Sequence, residues 1–288
     1  MRTGVPGWVT PAVVVGGFLL CVLLETRLPL RRARESKLRR VGRNLMMAGI
    51  GFAVIELLQI PVLIPISKAT MGQGLGLLNL LGVRGGARVV IAILLLDYTL
   101  WHWHRVNHRI RFFWRFHCVH HVDRDMDAST ALRFHFGELG MSVGWRALQI
   151  VAIGADPLSV FIYQALLFTS ILFHHSNTRL PLSFERALVR LIVTPRMHGI
   201  HHSDYENETN TNWSSLLSLW DYLHGTIRLD VPQQSITVGV PAFDDPKKVT
   251  LARILRMPFE KRGEDWLRPD GSRLIRPHSE RTKAILEP

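Results

Sequence analysis

Eight histidines in three short clusters are the residues of this chain best suited to metal chemistry. Histidines three or four residues apart lie on one face of a helix, about 5–6 Å from each other, so each cluster directs two imidazoles at one site. In an HxxHH cluster the last two histidines diverge by about 100° around the helix axis, so one cluster can serve two neighbouring ions. The clusters are HxxxH at His104 and His108, HxxHH at His117, His120 and His121, and HxxHH at His198, His201 and His202.

Two metal ions are the number that these histidines predict. One transition-metal ion normally accepts about four to six ligands, fewer than the clusters supply. Imidazole suits iron, copper, nickel and zinc alike, so the ligand type leaves the metal open. The sequence contains no HExxH, so it does not indicate a zinc peptidase.

Other polar residues near the clusters are candidates for supporting roles. His175 and His135 are additional ligand candidates. Asp97 precedes His104 by two helical turns, where its carboxylate is expected to orient a ligand ring through the second ring nitrogen. The candidates for such contacts, or for the mouth of a substrate site, are Asp97, Glu138, Asn177, Asp204, Asn212 and Asp221.

Histidines outside the clusters have a simpler interpretation. A single histidine near a membrane surface is usually a polar anchor or a hydrogen-bonded core residue, which is the interpretation for His102, His224 and His278. His174 fits either role. Cys118 lies between two clustered histidines, but soft thiolate ligands suit other metal chemistries better. If the clustered histidines were also only polar anchors or core residues, their ligand-like spacing would have to arise by chance three times independently.

Long apolar runs lead up to the clusters and predict an all-α membrane bundle. A helix of about 20 apolar residues crosses the hydrocarbon core of a bilayer. The chain is 47% hydrophobic yet 20% charged, which indicates that apolar and charged residues are segregated along it. We expect about three spans and a helical hairpin that dips into the membrane: the spans are residues 8–24, 45–66 and 87–103, and the hairpin is 139–155 with 158–173.

The basic residues predict which side of the membrane the clusters face. Residues 27–43, between the first two spans, contain eight lysines and arginines, against three between the second and third spans. Because short cytoplasmic loops carry the excess of basic residues, the first loop is predicted to be cytoplasmic. The third span and the hairpin then return the chain to that side, so all three clusters face the cytoplasm. The net charge of +12 is attributed to membrane flanks, and no nucleic-acid partner is expected.

The chain is interpreted as two regions. Residues 1–230 form the membrane bundle with a cytoplasmic helical cap that carries a dinuclear metal site, and residues 231–288 form a proline-rich, charged cytoplasmic tail. The first apolar run lacks the flanks of a cleaved signal, so we expect it to be retained. Residues 71–86 are rich in glycine and predict a loop or interfacial segment. Two cysteines give no disulfide framework.

Residues 97–226 resemble the fatty acid hydroxylase and sterol desaturase superfamily of integral membrane di-iron enzymes. The order HxxxH, HxxHH, HxxHH is similar to the histidine boxes of that superfamily. His224 departs from the pattern, because the superfamily more often has phenylalanine there. The other matching elements are Asp97 to His108, Arg133-Phe134-His135 with Glu138, His175-x-Asn177, Thr194-Pro195-x-x-His198, Asn212, Trp220-Asp221 and Gly225-Thr226.

The resemblance implies a reaction and its cofactors. It implies two iron ions, O2 as the oxidant, and a lipid substrate such as a sterol or fatty acyl chain that is hydroxylated or desaturated. It implies that the ligands are the eight clustered histidines, with His175 and His135 as further candidates, and zinc can substitute for iron. No haem, flavin or nicotinamide motif is visible, so electrons are expected from a separate reductase, ferredoxin or cytochrome b5-like donor.

Two non-enzymatic functions compete with this interpretation. A membrane metal carrier places its ligands near the middle of the bilayer, in discontinuous spans, whereas these histidines lie at and beyond the ends of the predicted spans. A membrane-anchored scaffold with a structural metal site is the other alternative. Oxygen consumption in the presence of a lipid separates the enzyme from both.

Overall fold

The computed structural model describes residues 9–276, and within these residues the chain is helical with no extended strand. The few β-bridges between described residues are isolated pairs. The all-α prediction is therefore confirmed. The α-helices are α1 (Val9–Arg27), α2 (Lys37–Val54), α3 (Ile60–Gly72), α4 (Leu77–Leu80), α5 (Gly85–Arg109), α6 (Arg111–His121), α7 (Phe136–Ile153), α8 (Pro157–His175), α9 (Leu182–Leu188), α10 (Pro195–His201), α11 (Glu206–Thr209), α12 (Leu219–Leu223) and α13 (Leu251–Arg256).

A π-helical turn, Ile55–Gln59, joins α2 to α3 without a break in the helix. The amide of Ile60, the residue after this turn, donates to the carbonyl of Ile55, five residues earlier. Pro61 follows directly. A proline has no amide hydrogen and its ring crowds the carbonyl four residues earlier, so the wider turn gives the helix a place to change its bonding register.

Two helical stretches of the described chain are long and apolar enough to cross a membrane: Lys37–Leu80 and Pro157–His175. Only 22% and 33% of their most apolar windows are buried inside the protein, so most of these apolar residues face outward. The predicted span at 45–66 lies inside the first stretch. The predicted spans at 8–24 and 87–103 overlap α1 and α5, and the number of membrane crossings stays a prediction.

A turn separates α7 from α8 where the sequence predicts the bend of the hairpin, and the dip of this pair into the membrane stays a prediction. Gly154 follows the last residue of α7, and its φ of 77° is in the left-handed region. The side chain of Asp156 accepts hydrogen bonds from two amides in the first turn of α8, each at 3.0 Å, and Pro157 occupies the first helical position. Arg88 of α5 pairs with Asp156 at 3.3 Å. A Cβ on Gly76 would overlap the backbone of Gly154, so the glycine-rich segment packs tightly on this turn.

Buried ion pairs attach the basic first loop and α2 to the segment that follows the second histidine cluster. Asp123 bonds to Arg40 at 3.0 Å, to Arg43 at 3.3 Å and to the side-chain amide of Asn44 at 2.9 Å. Burial alone would raise the pKa of Asp123, but the charges of Arg40, Arg133 and Arg43 outweigh it and lower that pKa to about 2. The loop richest in basic residues therefore lies at the same end of the molecule as the histidines.

Residues 231–276 pack against the histidine-bearing helices. Val249, Ile254 and Met257 share a hydrophobic core with Trp114 and Val119 of α6. Apart from α13, this segment contains only short 3-10 helices and irregular backbone, as its prolines and weak periodicity predict. Residues 277–288, which include His278, lie outside the described residues.

Candidate metal centre

Four helices bring the histidine clusters to one place. The last turns of α5 carry the first cluster, α6 ends with the second, and α10 carries most of the third. α8 ends at His175. At the start of α10, the hydroxyl of Thr194 accepts a hydrogen bond from the amide of Met197 at 3.4 Å, and Pro195 follows in the first turn. The start of this helix is therefore fixed just before its first histidine.

Nine of the ten predicted ligands form two neighbouring groups. Within each group the candidate ligand nitrogens all lie within 4.8 Å of one another. The rings of His121 and His202, one from each group, stack with centroids 4.3 Å apart. Each HxxHH cluster contributes to both groups, as its spacing predicts. We name them the five-histidine group, His104, His108, His117, His121 and His201, and the four-histidine group, His120, His175, His198 and His202.

The nitrogens of the four-histidine group have the spacing of ligands around one ion. The Nε2 atom of His175 lies 2.9 Å from Nε2 of His120 and 3.1 Å from Nε2 of His198. Nε2 of His202 lies 3.2 Å from Nε2 of His198. Two ligands at right angles, each ~2.1 Å from an ion, would be about 3.0 Å apart. Nδ1 of His175 contacts the carbonyl of Ile171 at 2.8 Å, which leaves Nε2 as the free ligand atom.

Protein acceptors orient three rings of the five-histidine group through Nδ1. When Nδ1–H donates to an acceptor, the Nε2 lone pair is left for a metal. Among the described residues, Nε2 of His117, His121 and His201 is buried without a hydrogen-bond partner, an arrangement that is unfavourable unless an ion binds there. The Nδ1 contacts are His104 to the Trp213 carbonyl at 2.7 Å, His117 to Glu138 Oε1 at 2.8 Å, and His201 to the Thr211 carbonyl at 2.8 Å.

Burial favours the neutral form of several imidazoles in both groups. It lowers the pKa of His120, His121 and His202 well below the usual value, and neighbouring histidines lower it further. Burial also lowers the pKa of His201 to about 3. Because the neutral imidazole is the form that binds metal, both groups are prepared for ligation at neutral pH. The residues thus fit two metal ions, although the ligand roles themselves stay predictions.

Among the predicted supporting carboxylates, Glu138 contacts a candidate ligand and Asp97 does not. The Asp97 carboxylate accepts hydrogen bonds from the indole of Trp220 at 2.7 Å and from the amide of Leu217 at 3.1 Å. No described histidine ring lies among its hydrogen-bond partners. Asp97 therefore holds the segment around α12 against α5, instead of orienting the ring of His104.

Asp221 acts on the site through the backbone. Its carboxylate accepts hydrogen bonds from the amides of Trp213 at 3.1 Å and Ser214 at 2.8 Å, and from the indole of Trp101 at 3.1 Å. These bonds fix the peptide whose carbonyl contacts His104. Asp221 therefore holds the carbonyl that contacts His104, and its role toward a metal stays a prediction.

The two predicted asparagines hold backbone segments beside the histidines. Asn212 has a φ of 55°, a conformation that asparagine tolerates better than most residues, and its amide donates to the carbonyls of Met197 at 2.9 Å and Arg228 at 2.8 Å. Asn177 accepts from the amide of Arg31 at 2.9 Å and donates to its carbonyl at 2.8 Å. Both side chains connect separate backbone segments, and neither forms a hydrogen bond with a described ring of the two groups.

His135 lies outside both groups. Its Nδ1 accepts a hydrogen bond from the amide of Gly137 at 3.0 Å and so caps α7, while Nε2 contacts the carbonyl of Leu255 at 3.1 Å. Both ring nitrogens are thus engaged, and the geometry gives no support to His135 as a ligand. His102 and His224 also lie outside the groups and pack against each other, with ring centroids 5.8 Å apart.

Backbone carbonyls are what the sequence did not reveal, and the role of one histidine, His174, was left open. The carbonyls of Ile171, Thr211 and Trp213 orient candidate ligands, but no residue type marks such a contact in a sequence. His174 is buried, and the centroid of its ring lies 4.1 Å from the ring centroid of His198. Its adjacency to His175 is the signal in the sequence that points to it.

Comparison with known proteins supports the resemblance that the histidine clusters indicate. Residues 89–226 match the fatty acid hydroxylase family, a region that includes both histidine groups. The chain is 30% identical over 177 residues to the ornithine lipid hydroxylase of Rhizobium tropici, and this alignment covers 61% of this chain and 51% of that protein. It is 26% identical to the cholesterol 25-hydroxylase of Mus musculus, over 49% of this chain and 47% of that protein.

A third relative is the alkylglycerol monooxygenase of Homo sapiens, which is 26% identical over 48% of this chain and 30% of that protein. The chain thus spans about half the length, or less, of these curated relatives. No solved structure matches the chain. The family match and the three relatives confirm the resemblance to the fatty acid hydroxylase superfamily.

Proposed function

We propose that this protein is a membrane-bound di-iron oxygenase that oxidises a lipid, using O2 and electrons from a separate donor. The observation that carries the proposal is the pair of adjacent, buried histidine groups inside the region that matches the family. The three relatives are named for hydroxylation or monooxygenation, and an ornithine lipid, a sterol and an alkylglycerol are all lipids. Their names favour hydroxylation over desaturation for this chain.

In this proposal each histidine group holds one iron ion. Bound iron supplies the oxygen chemistry that attacks an unactivated C–H bond. The protein's own contribution is to fix the ligands. Glu138 and the carbonyls of Trp213 and Thr211 hold three rings with Nε2 turned inward, and eight of the nine rings are buried. Zinc would occupy the same nitrogens if it replaced iron.

The proposed topology places the histidine groups on the cytoplasmic side. The bonds from Arg40 and Arg43 to Asp123 support this placement, because they put the basic loop beside the second cluster. Cysteine labelling in intact and opened vesicles tests it. A cysteine at the exposed Ser36 and one at Ser279, in the proposed tail, should both react only from the cytoplasm. Labelling from opposite sides would contradict the topology.

Oxygen consumption is the decisive test of the function. The protein is reconstituted anaerobically with Fe(II), mixed with a membrane lipid extract and an electron donor, and then exposed to O2. We expect O2 uptake and a lipid whose mass increases by one oxygen or decreases by two hydrogens, and no uptake by a His201→Ala variant. Metal-loaded protein that moves metal into vesicles without using O2 would support the carrier. Loaded protein that does neither would support the scaffold.

A further inference from the structure

Two exposed arginines lie against one buried indole beside the five-histidine group. Arg105 and Arg109 are four residues apart on α5, so their side chains leave the same face of the helix, and both are exposed. The guanidinium carbon of Arg105 lies 5.6 Å from the centroid of the Trp213 ring, and that of Arg109 lies 5.5 Å from the same centroid. Both distances are within the range of cation–π contacts, about 6 Å or less. This ring therefore brings the two guanidiniums together at the surface, and we name Arg105 and Arg109 the arginine pair.

The charge of the arginine pair is not offset by an ion pair. Neither guanidinium forms a hydrogen bond or a salt bridge with a described residue, and their contacts are with aromatic faces. The nearby carboxylate of Asp221 is buried and accepts from the amide of Trp213 and the indole of Trp101, each at 3.1 Å. An aromatic face attracts a guanidinium without neutralising it. The surface of the protein thus carries two adjacent positive charges here.

The indole beneath the arginine pair belongs to the residue that contacts His104. Trp213 is 1% exposed, and its carbonyl oxygen lies 2.7 Å from Nδ1 of His104. The path from the indole to this candidate ligand therefore consists of the bonds of one residue and one hydrogen bond. Electron transfer slows steeply with distance and passes more readily through bonds than across gaps. The arginine pair thus marks a short route for electrons between the surface and the five-histidine group.

We propose that the arginine pair is the docking site of the electron donor, and that this donor is a one-electron carrier protein with an acidic surface. The inference rests on the separate donor in the proposed function. Acidic side chains complement two exposed guanidiniums, and such charges steer association and fix the orientation of a partner. A docked carrier is oxidised by one electron, which the metal centre gains, and no bond forms or breaks. Two such transfers, with two protons from water, balance the insertion of one oxygen atom of O2 into a lipid and the reduction of the other to water.

Binding of a plant-type [2Fe–2S] ferredoxin, an acidic one-electron carrier, tests this inference without any turnover. The full chain in phosphatidylcholine nanodiscs is titrated with ferredoxin in the absence of O2, at low and at high salt. We expect the wild type to bind and Arg105→Gln/Arg109→Gln to bind more weakly by about tenfold or more, because electrostatic steering is lost. Salt should weaken binding by the wild type more than binding by this variant.

Two further variants serve as controls. Arg105→Lys/Arg109→Lys keeps both charges and should retain most of the affinity for ferredoxin. Arg253→Gln/Arg256→Gln removes two exposed arginines of α13, and it should bind ferredoxin as the wild type does. In iron-loaded protein, the rate of reduction by ferredoxin is divided by the rate with methyl viologen, a small reductant that needs no docking site. This ratio should fall by about tenfold or more in the glutamine variant of the arginine pair.

Three results would overturn the inference. The first is equal affinity of the wild type and the glutamine variant for ferredoxin, and a loss of phosphatidylglycerol retention in that variant would then assign the arginine pair to lipid headgroups. The second is a lysine variant that binds as weakly as the glutamine variant. The third is a wild type that accepts electrons from methyl viologen but does not bind ferredoxin. Ferredoxin that docks at the arginine pair of a protein that consumes no O2 with either reductant would refute the proposed function and leave the docking site standing.

Discussion

The guanidinium of Arg31 lies directly against Gly199, the glycine inside the third histidine cluster. A Cβ on Gly199 would overlap Nη1 of Arg31. That same Nη1 donates to Oε1 of Gln233 at 2.6 Å, and Asn177 holds the backbone of Arg31 from both sides. The first loop, the residues after α8 and the tail segment therefore meet on α10. Glycine at this position allows the close approach of the Arg31 guanidinium, and its backbone conformation does not require it.

Gly199→Ala should lower metal retention, because the added methyl group must displace Arg31 or shift α10. We expect a loss of about tenfold in metal affinity, comparable to other changes that disturb ligand orientation. If the overlap is the cause, Gly199→Ala should have little further effect in an Arg31→Ala background, so the two changes should be non-additive. Chelator competition measures the metal affinity of the wild type, the two single variants and the double variant. An equal effect of Gly199→Ala in both backgrounds would show that the contact is unimportant.

Replacing Glu138 should weaken the five-histidine group through His117. Glu138→Ala removes the acceptor that lies 2.8 Å from Nδ1 of His117, and the loss of such a partner typically reduces metal affinity or activity by about 10–100-fold. Glu138→Gln keeps an acceptor oxygen and should recover part of the effect. Metal affinity and turnover are measured together, with the exposed Glu260→Ala as the control. Equal losses in the alanine and glutamine variants would point to charge instead of orientation.

The spacing of the histidines is sufficient to predict which of them converge, but not what holds them. The divergence of His120 and His121 around α6 follows from helix geometry, and the two residues lie in different groups. That they serve different ions stays a prediction. Asp97 shows the limit of the same reasoning. The two-turn spacing predicts that Asp97 and His104 lie on the same face of α5, but it does not predict which group bonds to the Asp97 carboxylate. That group is the indole of Trp220, which is distant in sequence.

The fold shows the same division between local and distant information. Asp156 and Pro157 predict the hairpin, because a capping carboxylate and a proline act within one turn. The packing of residues 231–276 onto α6 is not predictable from the sequence in the same way. It depends on contacts such as Trp114 with Trp266, whose ring centroids are 5.6 Å apart although the residues are far apart in the chain.

Single alanine substitutions should separate the two metal positions. His201→Ala removes a ligand from the five-histidine group and His120→Ala one from the four-histidine group, so each should lower the metal content from about two ions per chain toward one and abolish turnover. The helices should stay folded, because lipid and helix packing hold them. His102 points about 200° away from His104 around α5, so His102→Ala should do much less.

Elemental analysis after anaerobic reconstitution, together with turnover, measures these effects. Zinc in place of iron would be compatible with the ligand assignment, since imidazole binds both. If His102→Ala abolished activity while His120→Ala kept it, the ligand assignment would fail. A wild-type content of one metal ion or none would refute the two-ion arrangement.

Acid should destabilise the metal-free protein and release metal from the loaded protein over the same pH range. Burial lowers the pKa of His201 to about 3 in the folded chain, whereas an exposed imidazole has a pKa of about 6.5. The folded state thus favours the neutral ring. Its contribution to the free energy of unfolding is fully present above about pH 6.5 and is lost as the pH falls toward about 3. Protons also compete with metal for the same nitrogens.

Denaturant unfolding and metal retention, measured across this range, check both effects. The pH dependence of stability should be weaker in His201→Ala, and a wild-type stability that stayed constant throughout the range would show that the imidazoles are not buried in neutral form.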